Sequence, residues 1–491
     1  MSDRPFIIAV VGHTNTGKTS LMRTLTHDVS FGEVSDRPAV TRDVAGVALL
    51  IDDRPVAELY DTPGLEDSIA LLDHLHHLRG DHRRDNVEVI REFLKTDEAG
   101  TSFSQEAKVL RQVLKSDVAL YVIDARDRVL GKHRDELDIL RMCGRPVVPV
   151  LNFIASHDAQ SSLWRDHLSR LGLHAVAEFD TVVIDELSEQ HLFEKMRTLL
   201  DEHRRTIDRL IDDRREQRRT LIANSARVIA ELLVDIAALR LLVPRDDEDR
   251  LRKSGARLRD LVREREQRCV RDLLELHRFH PDDCTADALP IEDGRWTFDP
   301  FDPEVLQQFG IRAGSGAAAG AMAGLAIDLA TGGMSLGAAA ATGAAIGAVL
   351  GGGQSHARRL FHRMRGLAEL RVDDGPILLL AVRQIDLVRA LLRRGHASQH
   401  RVTLETPEVK IRALPKPLRR ARMQTNWCSM ETEGDPGSAR SLSFRSTPPR
   451  GRDAALDELA GLLGPELARS RSEPITFEDH AGNRSAGKSS G

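Results

Sequence analysis

Aromatic residues are scarce, at 4% of the 491-residue chain, with two tyrosines and three tryptophans. Stacking on nucleic-acid bases therefore has little to draw on. Charge of one sign is missing too. Lys and Arg number 70 against 75 Asp and Glu, and the formal net charge of -5 gives no global pull toward DNA, RNA or anionic lipid. Cysteine is sparse: Cys143, Cys269, Cys284 and Cys428 stand far apart and share no metal-ligand spacing. They read as reduced thiols of an intracellular protein, not as a disulfide or zinc framework. The opening MSDRPFIIAV has no basic region followed by an apolar stretch and a cleavage site, so a secretory signal is not expected.

What is present suits globular domains with long helices, with hydrophobic residues at 41% and charged residues at 30%. The length allows two or more domains, each with its own core. Residues 5–200 alternate short β-branched runs with helical segments, the pattern of an α/β domain with a parallel sheet. Candidate strands cover residues 6–11, 44–51, 56–60, 118–123, 147–151 and 175–179. The second and third are joined by a short turn containing Asp53, Arg54 and Pro55 and read as an antiparallel hairpin. Helices are expected from Lys18, over 105–114, 132–142 and 159–171, and after Glu186.

The sharpest motif is GHTNTGKT, residues 12–19, directly after the apolar run FIIAVV. Gly12 and Gly17 let the backbone curl so that successive N–H groups and a helix N-terminus face phosphate oxygens. Lys18 can reach the β- and γ-phosphates, and the Thr19 hydroxyl can ligate Mg²⁺. A second motif, DTPG, follows the third strand. Asp61 at the strand tip can hold Mg²⁺ through water, and the Gly64 N–H can sense the γ-phosphate. Thr41, in RPAVTRD, either completes the Mg²⁺ shell or caps local backbone.

On these motifs residues 5–200 resemble the Era/TrmE-like small GTPases, whose fold is a three-layer P-loop domain. The resemblance implies GTP as substrate, Mg²⁺ as cofactor and hydrolysis to GDP. It assigns Gly12, Asn15, Thr16, Gly17, Lys18, Thr19 and Ser20 to the phosphates, Lys18, Thr41 and Gly64 to catalysis, and Thr19, Thr41 and Asp61 to the metal. It also implies K⁺ beside Asn15, whose alternative is hydrogen bonding within the loop. Leu65 stands where Ras-like enzymes carry the water-positioning glutamine, which implies slow turnover unless a partner, a homodimer or a cation contributes. The guanine-reading Asn-Lys-x-Asp pattern is broken: Asn152 is in place, but Phe153 replaces the lysine and Ala155 the aspartate. ATP is the alternative this leaves open, and Phe179-Asp180-Thr181 is an indistinct fifth motif.

More narrowly, VPVLNFIAS, LGLHAVAEFDTV and LPKPLRRARMQTNW resemble a bacterial family that joins an N-terminal GTPase domain to a C-terminal domain of unknown function. The expected domains are 1–203, a mostly helical domain over 204–437, and a disordered tail over 438–491. Long amphipathic helices, broken near Pro244, are expected over 204–278. Residues 281–310 read as loop. Residues 313–353 are Gly/Ala-rich, with Asp328 their lone charge. They read as a membrane-inserting hairpin, a buried helical pair or a flexible linker. Residues 375–392 read as a core helix interrupted by Arg383, Asp386 and Arg389. The patch of Lys416, Arg419, Arg420 and Arg422 suits RNA or lipid heads, or a solvated surface. The reading is a GTP-hydrolysing switch in the cytoplasm, on the cytoplasmic face of the inner membrane. Its alternatives are an RNA- or ribosome-associated assembly factor and a scaffold with negligible turnover.

Overall fold

In the first strand, β1 (Phe6–Val11), alternate side chains enter two different cores. Ile8 and Val10 face one helical layer, and Ala9 and Val11 face the other. This period-two alternation with both faces apolar is what a buried parallel strand requires. The structure, a computed structural model, describes residues 4–26, 44–80, 84–181, 187–244, 246–278, 291–292, 295–296, 298–311, 325–328, 367–393, 409, 413–430, 450–470 and 473–476. Thr41 and Cys284 lie outside these residues. The chain divides into two compact units, residues 1–218 with 393–400 and residues 219–392 with 401–491.

The first unit holds a six-stranded sheet in the order β2-β3-β1-β4-β5-β6. Its strands are β1, β2 (Ala45–Ile51), β3 (Arg54–Asp61), β4 (Val118–Asp124), β5 (Val147–Asn152) and β6 (Ala177–Glu178). All neighbours are parallel except β2 and β3. Their hairpin turns at Asp52 and Asp53, both with positive φ, as a two-residue loop matching strand twist demands. The expected turn at Asp53, Arg54 and Pro55 is thus shifted, because Arg54 and Pro55 already pair with β2.

On one face lie α1 (Lys18–Thr26) and, later in the chain, α7 (Ser188–Leu199) and the first part of α8 (Arg204–Ala238), through Leu21, Leu25, Phe193 and Ile207. The other face carries α2 (Ser68–Arg79), α3 (Asn86–Phe93), α4 (Ser104–Lys115), α5 (Gly131–Met142) and α6 (Ser161–Arg170), through residues such as Leu71, Ile90, Leu110, Leu140 and Trp164. The result is a three-layer α/β domain with a mixed sheet. The C-terminal ends of β1, β3, β5 and β6 gather the motif residues.

The second unit contains the rest of α8, β7 (Leu241–Pro244), α9 (Glu248–Leu276), β8 (Ile291–Glu292), β9 (Arg295–Trp296), α10 (Pro303–Gln308), β10 (Leu325–Asp328), β11 (Leu367–Val372), α11 (Asp374–Arg393), α12 (Lys416–Ala421) and α13 (Arg452–Ala468). It is mostly helical, yet it departs from expectation in several places. The break near Pro244 is a strand, and β10, β11 and β7 form an antiparallel sheet. The expected loop over 281–310 contains β8, β9 and α10. Residues 325–328, expected in a helix or linker, pair with 369–372 instead. The remainder of the Gly/Ala-rich 313–353 lies outside the described residues. Among the described residues no helix is long and apolar enough to cross a membrane.

The tail expected to be disordered contains α13. Its Ala455, Leu456, Leu459, Leu463 and Leu467 fall at helical spacing and are buried in the unit's core. The average composition of the tail concealed this local stripe. In α11 the charged Arg383, Asp386 and Arg389 are themselves buried. Arg383 donates to Phe298 O at 2.6 Å and Arg389 Nε to Glu466 O at 2.8 Å, so their guanidinium groups are hydrogen-bonded inside. Two cations of the basic patch are also engaged within the unit, Arg420 with Glu458 and Arg422 with Asp374.

Candidate nucleotide-binding site

The loop between β1 and α1 needs its glycines. Gly12 has φ +147°, and a Cβ there would lie 2.4 Å from Val122 O. Gly17 has φ +89°, and a Cβ there would lie 2.3 Å from Asn152 Nδ2. No L side chain fits either place without moving β4 or Asn152. Between them Asn15 is also left-handed, at φ 64°, and stands exposed at the loop's tip. Its side chain makes no hydrogen bond to the loop among the described residues. Thr16 closes the loop through Oγ1 to His13 O at 3.0 Å. Ser20 is half-buried in the first turn of α1, where its carbonyl accepts from Thr24 Oγ1.

Lys18 is buried against this loop, its Nζ donating to Gly12 O at 3.2 Å and His13 O at 2.7 Å. Burial pushes its pKa below the ordinary lysine value, and the Asp61 and Glu136 carboxylates oppose that shift. A buried ammonium so placed gains from any phosphate oxygen brought to the loop. Thr19 Oγ1 donates to Asp61 Oδ2 at 2.6 Å, joining the start of α1 to the tip of β3. A hydroxyl and a carboxylate brought together are hard oxygen donors that fit Mg²⁺, which would keep phosphate and water oxygens for its remaining positions.

The loop after Asp61 is pinned at several points. Thr62 Oγ1 donates to Val10 O at 2.8 Å, and the Glu66 and Asp67 N–H groups donate to Glu106 Oε1. Gly64 lies so close to the phosphate loop that a Cβ would be 2.5 Å from Thr14 Oγ1. That hydroxyl is buried and without a hydrogen-bond partner among the described residues. Leu65 is fully buried in the core with Leu71 and Leu75, so its side chain takes no part in positioning water.

Asn152 forms the junction of three segments. Its Nδ2 donates to Thr16 O at 2.9 Å, and its Oδ1 accepts from Phe153 N, Thr181 N and Thr181 Oγ1 at 2.9, 2.9 and 3.1 Å. Phe153, at φ 58°, lies with its ring near Gly17 and 4.1 Å beneath the Arg126 guanidinium. Ala155 N–H donates to Asp180 Oδ2 at 2.9 Å.

Sequence reasoning missed a network behind the loop. His13 Nδ1 lies 3.1 Å from Leu65 O and 3.2 Å from Glu136 Oε1, while Lys132 Nζ lies 3.0 Å from His13 Nε2. Two acceptors at Nδ1 and an ammonium at Nε2 make the ring donate at the first and accept at the second. Tyr121 OH donates to the other Glu136 oxygen at 2.6 Å. These partners lie 52 to 123 residues from His13, and no local signal links them.

Comparison with known proteins gives two family matches, the second of which begins inside the first unit. Residues 7–153 match the family described as 50S ribosome-binding GTPase. Residues 165–447, more than half of the chain, match the domain of unknown function DUF3482. The chain belongs to the DUF3482 family. It joins that domain to an N-terminal GTPase domain. This DUF3482 chain is 34% identical over 159 residues to GTPase Der of Jannaschia sp. (strain CCS1), covering 32% of itself and 27% of the relative. It is 28% identical over 152 residues to GTPase Der of Lachnoclostridium phytofermentans, covering 31% and 28%. The match thus spans about a quarter of the length of these curated relatives. Among solved structures, Era in complex with MgGDPNP and nucleotides 1506-1542 of 16S ribosomal RNA aligns at TM-score 0.26 and 17% identity, over 36% of this chain and 51% of Era. A single-residue variant of Aquifex aeolicus Era bound to GDP.AlF4- aligns at TM-score 0.25 and 19% identity, over 36% and 50%.

Proposed function

We propose that the N-terminal domain binds GTP with Mg²⁺ and hydrolyses it to GDP, as a switch acting on the helical domain. The observation that carries this reading is the convergence of Lys18, the Thr19–Asp61 pair and the Thr14–Gly64 contact on one glycine-curled loop. Mg²⁺, when bound, would be held by Thr19 and Asp61, with Thr41 the proposed third ligand, and would neutralise charge on the phosphates. Lys18 leaves its two loop carbonyls for phosphate oxygens and stabilises the charge that develops as water attacks in line. The loop N–H groups hold the β-phosphate, and the Gly64 N–H holds the γ-phosphate, so the DTPG segment reports hydrolysis.

With Leu65 buried, no glutamine positions the water, and turnover is slow without help. K⁺ beside Asn15, or a second copy of the chain, would supply that help. The output is a change of helical packing or of membrane contact through residues 313–353 at the cytoplasmic face. A second reading, association with ribosomal particles or RNA, is favoured by the description of the family matched by residues 7–153.

Titration of the full chain with GTP and ATP, in K⁺ and in Na⁺, tests the proposal, with phosphate release followed in parallel. GTP should bind more tightly than ATP, and Lys18→Ala should weaken triphosphate binding by roughly 10- to 100-fold, the worth of a charge-assisted hydrogen bond. Equal affinities for the two nucleotides would sink the GTP assignment. A carbonate-resistant membrane pool favours the membrane output, and co-sedimentation with ribosomal particles the second reading.

A further inference from the structure

The second unit contains a cavity of about 330 Å³ lined chiefly by one face of α9. Arg257, Leu261, Arg265 and Arg268 stand along that face at helical spacing, with Glu264 beside them and Ser429 contributed by another segment. A volume of this order suits a small molecule. Arg265 and Arg268 are one turn apart, roughly 4.5 Å along the helix axis. Arg268 is exposed and makes no hydrogen bond or ion pair among the described residues. Arg257 meets Glu264 at 3.5 Å. Arg265 is buried: its Nε donates to Asp235 Oδ2 at 2.9 Å, while its Nη1 has no hydrogen-bond partner among the described residues. Asp235 is itself fully engaged. Its Oδ1 accepts from Arg452 Nη2 at 3.1 Å and Ser429 N at 2.9 Å, and its Oδ2 also accepts from Ser429 Oγ at 2.8 Å. One buried carboxylate thus serves two guanidinium groups held mostly out of water, at 7% and 16% exposure.

We propose that this cavity binds the phosphoryl group of a small phosphorylated molecule, with Arg265 and Arg268 as its guanidinium ligands. Binding here does not depend on the phosphate loop of the first unit. A second positive charge kept from water beside a single carboxylate is stabilised by an anion brought next to it. Guanidinium forks match phosphoryl oxygens, and two of them a turn apart present donors to one tetrahedral group. A phosphoryl group offers three acceptor oxygens and up to two charges, where a carboxylate ligand has two oxygens and one charge. Glu264 opposes an anion and engages Arg257, so the phosphoryl group goes to the Arg265–Arg268 end. Leu261, between the two ends, gives the rest of the molecule an apolar surface.

Hydrogen exchange of the full chain, followed by mass spectrometry in peptides covering residues 257–268 and 427–430, reads this site separately from residues 12–19. Inorganic phosphate should slow exchange there relative to chloride at the same ionic strength. Arg268→Gln should raise the phosphate concentration for half-maximal protection by about tenfold, the worth of a charge-assisted hydrogen bond, and Glu264→Gln should lower it. Both side chains are exposed, so both variants keep the fold, which unchanged exchange elsewhere in the unit without phosphate verifies. Phosphatidylcholine vesicles with and without phosphatidic acid form a second arm. Protection by phosphatidic acid alone assigns the phosphoryl group to a lipid, and protection by free phosphate assigns it to a soluble molecule. Protection by neither probe, equal protection in chloride, or an Arg268→Gln response identical to wild type overturns the proposal.

Discussion

Truncation of Asn152 is the most informative perturbation of the first unit, because one side chain ties three segments distant in sequence. Asn152→Ala removes four hydrogen bonds and strands the Thr181 N–H and hydroxyl, the Phe153 N–H and the Thr16 carbonyl. Thr16 and Thr181 are buried, so water replaces their lost partners poorly, whereas Phe153 is only half-buried. At about 1–3 kcal/mol for each buried group left unsatisfied, and with the hydroxyl free to rotate, the local cost is roughly 3 kcal/mol. That corresponds to about a hundredfold rise in the opening of these segments. Hydrogen exchange by mass spectrometry on the full chain reads it directly, in peptides covering the phosphate loop, the end of β5 and the residues after β6. Asn152→Asp provides the internal control. It retains acceptors for Phe153 and Thr181 but turns an oxygen toward the Thr16 carbonyl, so the phosphate loop alone should lose protection. If Asn152→Ala accelerates exchange there by less than about threefold, worth ~0.6 kcal/mol, the junction does not hold the site together and the reasoning fails.

Other expectations follow from the same structure. Gly64→Ala would place a methyl 2.5 Å from Thr14 Oγ1 and 2.9 Å from its backbone nitrogen, displacing the DTPG loop. Phosphate release should fall by at least about tenfold while GDP affinity changes little, since only the γ-phosphate depends on that loop. Burial pushes the Glu266 carboxyl up to about 7, against the opposing pull of Arg383. The folded chain then holds a proton that the unfolded chain has already lost between the ordinary carboxylate range and pH 7. Glu266 thus contributes stability at low pH that is lost as pH rises through about 7. Glu266→Gln should cancel this dependence and raise the urea midpoint of the second unit at pH 8 relative to wild type, by up to roughly 3 kcal/mol. An unchanged difference between pH 5 and pH 8 would count against it. Leu459→Ala in α13 should destabilise the second unit by about 2–4 kcal/mol, the cost of a buried leucine cavity, and a neutral effect in the same urea titration would remove α13 from the core.

Local signals were enough to lay out the first unit. Strand alternation, the glycine-curled loop and an acidic strand tip all act over a few residues, and each was legible in the text of residues 6–19 and 57–64. The pairing of Thr19 with Asp61 was also foreseeable, because both belong to segments with known chemistry. In the second unit periodicity located the long helices but not the sheet. The pairing of β7, β10 and β11 joins segments far apart in sequence, and none of those short runs stands out from its surroundings. The α13 stripe was hidden for a different reason, since a polar tail average masks five buried apolar positions.

At the site itself, sequence determined that the loop of residues 12–19 curls, because backbone curvature depends on where glycine stands. Tertiary structure alone decided what surrounds that loop. Asn152 became a bracket between loops, and His13 was set against Leu65, Glu136 and Lys132. Asp180 was carried from the end of β6 to the backbone of Ala155. Side-chain pairing across strands depends on register and burial, which are properties of the assembled sheet and not of any short stretch of chain.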